Sequence, residues 1–63
     1  MEITNAKAAR EWLAAWGGKP RSGIAKATID GLRTSASICR SYGNVDTAQG
    51  YEDAAAAIEE SQR

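Results

Sequence analysis

SGIAKATIDGLRTSASICRSY, residues 22–42, sorts into faces when wound at about 100° per residue. Ile24, Thr28, Gly31, Ser35, Ile38 and Tyr42 share one edge, and Ala25, Ile29, Leu32, Ala36 and Cys39 lie beside them. Lys26, Asp30, Arg33, Ser37, Arg40 and Ser41 gather opposite. This period predicts one long amphipathic helix over 23–42, capped by Ser22 and ended at Gly43-Asn44. A helix covering one core carries an apolar stripe of about 100° or a little more, whereas roughly half of this circumference is free of charge. It therefore holds two stripes: a greasy one (Ile29, Leu32, Ala36, Cys39) and a mixed, small-residue one, in which Gly31 and Ser35 let another backbone come close. Two readings follow. Either the whole arc is the buried centre of a monomer, or one stripe serves its own chain and the other a second copy. The second reading is preferred, with Ile24, Gly31, Ser35, Ile38 and Tyr42 as the dimer interface. On either reading this helix is the element around which the rest of the chain should be organised.

Bulk argues for a second copy. The chain has 63 residues, which is one domain spanning 1–63. So short a chain buries only about 60% of the surface that its unfolded state exposes. Small domains make up the deficit with disulfides, metals, self-association or unusually good helix packing. Cys39 is the only cysteine and there is no histidine, so no intrachain disulfide forms and the commonest zinc ligand is missing. Packing alone is thin, because alanine dominates the apolar content and phenylalanine is absent. A homodimer is the expectation, with no metal and no cofactor. Cys39, on the greasy stripe, reads as a packed side chain rather than a reactive thiol.

Formal charge is zero but unevenly spread. Residues 1–44 carry seven basic and three acidic side chains; residues 45–63 carry five acidic and one basic. The plain reading sets the acidic C-terminal region beside basic helices, in the same chain or a partner. The alternative is a basic face for an anionic partner, although a net-neutral domain lacks the usual electrostatic footprint of a nucleic-acid binder. No apolar run approaches the ~20 residues of a transmembrane span. Met1-Glu2 and the polar residues after it do not read as a signal peptide. A lone cysteine suits a reducing cytoplasm.

The first helix is expected over about 5–16, with Thr4 or Asn5 as its cap. Ala9, Trp12, Leu13 and Trp16 line one face at spacings of three and four. Trp12 and Trp16, one turn apart, form an aromatic ridge. It is either core or a contact surface for a partner, since tryptophan is enriched at interface hot spots. Ile3 should fold back on the first turn. Gly17-Gly18 supplies the positive φ that ends the helix and Pro20 blocks its continuation. The short link from Gly17 to Arg21 makes the first two helices expected neighbours. Asp46 with Gln49 reads as a variant capping box starting the third helix, which should run over 47–60. Gly50 either weakens its first turn or permits a close crossing. Tyr51, Ala54, Ala55 and Ile58 face inward, while the Glu52-Asp53 and Glu59-Glu60 carboxylates face water. Ser61 to Arg63 should fray. No alternating β-branched or aromatic run competes, so the fold class is all-α, a three-helix small domain.

Chemistry is sparse. Without histidine the usual general-base, nucleophile and metal arrangements are missing, and no glycine-rich phosphate loop is present. As a helix-turn-helix the chain fits poorly. The N-terminal end of its second helix, Ser22-Gly23-Ile24-Ala25-Lys26, is poor in base-reading groups. Lys26, Arg33 and Arg40 recur every seven residues and can reach phosphates, with Lys19 and Arg21 at the preceding corner, but Asp30 sits among them.

The opening Met1-Glu2-Ile3-Thr4-Asn5-Ala6-Lys7-Ala8-Ala9-Arg10-Glu11-Trp12-Leu13, the length, and the helix from Asp46 to Ile58 resemble the small early proteins of lambdoid bacteriophages encoded between the exonuclease and excisionase genes. The resemblance covers the whole chain and rests on no diagnostic motif. It implies an all-helical, dimeric accessory protein made early after infection or induction in the host cytoplasm. It further implies a link to host takeover and to the balance of lytic and lysogenic growth. No catalytic residues come with it. The function expected is thus a non-enzymatic regulator working through contacts with a host or phage protein. A nucleic-acid-binding transcriptional cofactor and an inhibitor of a host enzyme are the alternatives.

Overall fold

The computed structural model describes residues 2–63 and contains three helices: α1 (Ala6–Ala15), α2 (Ser22–Ser41) and α3 (Val45–Ser61), with no strand among the described residues. The all-α class and the three-helix count agree with the reading of the sequence. The long dimension of the domain, 35 Å, is little more than the ~30 Å expected for the 20 residues of α2 alone.

The ends of the helices follow local chemistry, with two corrections. Asn5 is extended and its Oδ1 accepts the Ala8 N–H at 2.8 Å, the expected cap of α1. Gly17 and Gly18 take φ of +72° and +93°, and the Gly18 N–H returns to the Leu13 carbonyl at 2.9 Å, closing the helix. Ser22 does not cap α2. It is the first helical residue, and Arg21 ahead of it lends no side-chain hydrogen bond. Nor does the Asp46/Gln49 capping box form. Gly43, at φ +80°, closes the turn within Tyr42–Asn44, so Asn44 already stands at the cap of α3 and Asp46 lies inside the first turn. There the Asp46 charge meets the positive end of the helix dipole, and the Gln49 amide donates to Asp53 Oδ1 at 2.9 Å instead.

The larger correction concerns which helix is central. Both α1 and α2 pack on α3, and no Cα of α1 comes within 8 Å of a Cα of α2. The short link does not make the first two helices neighbours, because the two glycines turn the chain away before Pro20, which is buried. The element the fold is organised around is therefore α3. Its inner surface is mostly alanine (Ala48, Ala54 and Ala55, all 1% exposed or less) with Ile58 fully buried. Small side chains let two helices approach one axis at the low end of the usual 8–10 Å. Ala9 and Leu13 come in from α1 and Ala25, Ile29 and Leu32 from α2, joining Ala54, Ala55 and Ile58 in one cluster. Ile3, Trp12, Tyr51 and Ala57 pack around it.

The N-terminal segment is tied to this frame at Gly50. A Cβ there would overlap the carbonyl oxygen of Thr4, so the glycine permits a close backbone crossing. At the other end Ser61 is still helical and the Gln62 amide donates to the Pro20 carbonyl at 3.3 Å, so the expected fraying of Ser61 and Gln62 is not observed.

Candidate functional site

α2 meets α3 with its greasy stripe: Ala25, Ile29, Leu32 and Ala36 are buried, and Cys39 is half-buried. On one flank of this contact the basic residues of α2 meet acidic residues of α3. Arg33 donates to Glu59 at 2.9 Å and Arg40 pairs with Glu52. The acidic third helix thus lies beside the basic second one within one chain. Glu52 and Glu59 are not merely solvated, as the sequence suggested, but bridge to α2. Two open grooves flank these pairs. One, of about 410 Å³, lies between Arg33, Ser37, Arg40 and Glu52; the other, about 470 Å³, between Lys26, Asp30, Arg33 and Glu59. Each mixes both charges, so neither presents a uniform field to an anion.

The other flank is uncharged. Ile24, Thr28 and Ser35 are half-buried, Gly31 is exposed, and Ile38 and Tyr42 are 53% and 79% exposed. Nothing stands within 4 Å of a Cβ placed on Gly31, so its small size is not used by any neighbour in this chain. The Thr28 hydroxyl donates to the Ile24 carbonyl at 2.8 Å, which satisfies it on its own helix and lowers the polarity of the face. Val45, at the start of α3, is also 57% exposed. The sequence did not mark it, because its exposure depends on how the Tyr42–Asn44 turn sets α3 against α2.

The tryptophan ridge is divided. Trp12 is half-buried against the core cluster, while Trp16, just past the end of α1, is 44% exposed. Their ring centroids stand 5.9 Å apart at a tilt of 57°, within the range of favourable aromatic pairs.

Of the five basic residues singled out in the sequence, Arg33 and Arg40 are engaged by carboxylates. Lys19, Arg21 and Lys26 are exposed and outside every ion pair among the described residues. They do not form one continuous basic face with the paired arginines, because Asp30 and Glu59 line the groove that holds Lys26 and Arg33. Among the described residues no three of histidine, cysteine, aspartate and glutamate gather as a metal site. No helix among them is long and apolar enough to cross a membrane. Compared with known proteins, the chain matches no family model, no curated protein and no solved structure.

Proposed function

We propose that this chain is a small non-enzymatic interaction protein that works as a homodimer, using the uncharged outer face of α2. The observation that carries the reading is the continuity of that face: Ile24, Gly31, Ser35, Ile38 and Tyr42 lie along one side of a 20-residue helix with no charged side chain among them. Contiguous exposed apolar surface on a small soluble domain marks an interaction site. The internal Arg33–Glu59 and Arg40–Glu52 pairs support a protein contact over a nucleic-acid contact, since they use up two of the five candidate phosphate ligands. Trp16, exposed beyond the end of α1, is the anchor proposed for a further protein partner. The resemblance to lambdoid phage early proteins supports a regulatory role for that contact, in host takeover and lytic or lysogenic development.

Ile38→Asp tests the reading. Ile38 is more than half exposed in the single chain, so a carboxylate there costs the isolated fold little while putting a charge into the dimer contact. The expected result is a halved mass by light scattering, with helical circular dichroism kept or lost according to how far the fold depends on the second copy. An unchanged dimer mass overturns the assignment of the face.

A further inference from the structure

Resting on the homodimer reading above, we infer that the two copies of α2 pack antiparallel, about a two-fold axis at the level of Arg33. Ile24, Thr28, Gly31, Ser35, Ile38 and Tyr42 succeed one another at intervals of four, three, four, three and four residues. That alternation is the a/d spacing of a coiled-coil seam; in the single chain Gly31, Ile38 and Tyr42 on it are exposed, and Ile24, Thr28 and Ser35 are half-buried. Its side chains are graded. The smallest, Gly31 and Ser35, stand at the middle of α2, and the larger Ile24, Ile38 and Tyr42 stand towards its ends. Two helices crossing at an angle are nearest at the crossing and diverge from it, so the grading puts the crossing between Gly31 and Ser35. An axis at 33 then sets Gly31 on the partner's Ser35, Thr28 on the partner's Ile38 and Ile24 on the partner's Tyr42. Every layer pairs one seam position with the other kind, as antiparallel seams do.

Charge decides the direction. Lys19 and Arg21 precede α2, and Asp46 follows it in the first turn of α3; all three are exposed and outside every ion pair among the described residues. Antiparallel order carries the basic corner of each copy to the Asp46 end of the other, twice over by symmetry. Parallel order sets Lys19 and Arg21 against the same residues of the second copy, and Asp46 against Asp46. Opposed helix dipoles favour the antiparallel order as well. No charged residue lies on the seam itself to argue otherwise.

Nitroxide labels at Thr34→Cys and at Ser41→Cys, each in a Cys39→Ser background of the full chain, read the direction by electron dipolar spectroscopy. Both sites are exposed and lie off the seam. In the antiparallel dimer the Thr34 labels flank the axis and stand close. The Ser41 labels separate by about 24 Å along the helix, at 1.5 Å of rise per residue. Light scattering on the same labelled chains tests the underlying reading separately. A monomer removes the second copy and this inference with it. A dimer whose Ser41 pair is separated only by the sideways divergence of crossed helices, well short of about 24 Å along the axis, or stands closer than the Thr34 pair, leaves the homodimer standing and overturns the antiparallel order.

Discussion

At Gly50 two rules about glycine oppose one another. In a helix interior alanine is preferred to glycine by up to about 1 kcal/mol, so Gly50→Ala gains on propensity. Against that gain, the added methyl meets the Thr4 carbonyl oxygen, a backbone atom that moves only if the N-terminal segment moves. Overlap with packed atoms typically costs about 1–3 kcal/mol, and it wins. Gly50→Ala is expected to lower the urea midpoint; a higher midpoint would show that the Thr4 crossing yields freely. Gly31 is the opposite case, a helical glycine with open space around it, where an added methyl meets nothing in this chain.

The α2–α3 contact shows what a helix can and cannot announce about itself. Arg33–Glu59 and Arg40–Glu52 are about half exposed, and exposed ion pairs are each worth roughly 0–1 kcal/mol. The double change Arg33→Gln with Arg40→Gln should therefore cost at most about 2 kcal/mol in a urea melt. The deficit should shrink in 1 M salt, where the Debye length falls to about 3 Å; a deficit indifferent to salt would point to lost packing of the arginine stems. The pairs were only partly legible in the sequence. The seven-residue recurrence of Lys26, Arg33 and Arg40 fixes a basic edge, but not what lies across from it. The same holds for the core. Apolar period revealed the inner faces of all three helices and the glycines that end α1 and α2. It did not reveal that α3 lies between the other two, because a wheel says which face is greasy and not which neighbour covers it. The Asp46/Gln49 pattern misled because it is local: the tight Tyr42–Asn44 turn started the helix two residues earlier. The uncharged outer face of α2 was legible residue by residue, whereas the exposure of Val45 was not.

For the whole molecule, Ile58 is the largest side chain fully buried, and it sits on the helix that both others need. Replacing buried isoleucine by alanine costs about 2–5 kcal/mol. A core of this size rarely supplies more than about 3–5 kcal/mol of net stability. Ile58→Ala is thus expected to remove the cooperative thermal transition and most of the helical circular dichroism at 25 °C. A melt close to that of the parent chain would mean that the stability resides elsewhere.

The central position of α3 also governs when the domain comes into being. It is the last of the three helices to be synthesised, and α1 and α2 each pack on it, with no Cα of α1 within 8 Å of one of α2. A helix of 10 residues is marginal on its own in water, and an amphipathic one of 20 draws most of its stability from packing its apolar face. A growing chain that has reached only Asn44 has no framework to settle on; it leaves both tryptophans and the greasy stripe of α2 open to chaperones and proteases until translation carries the alanine face into reach.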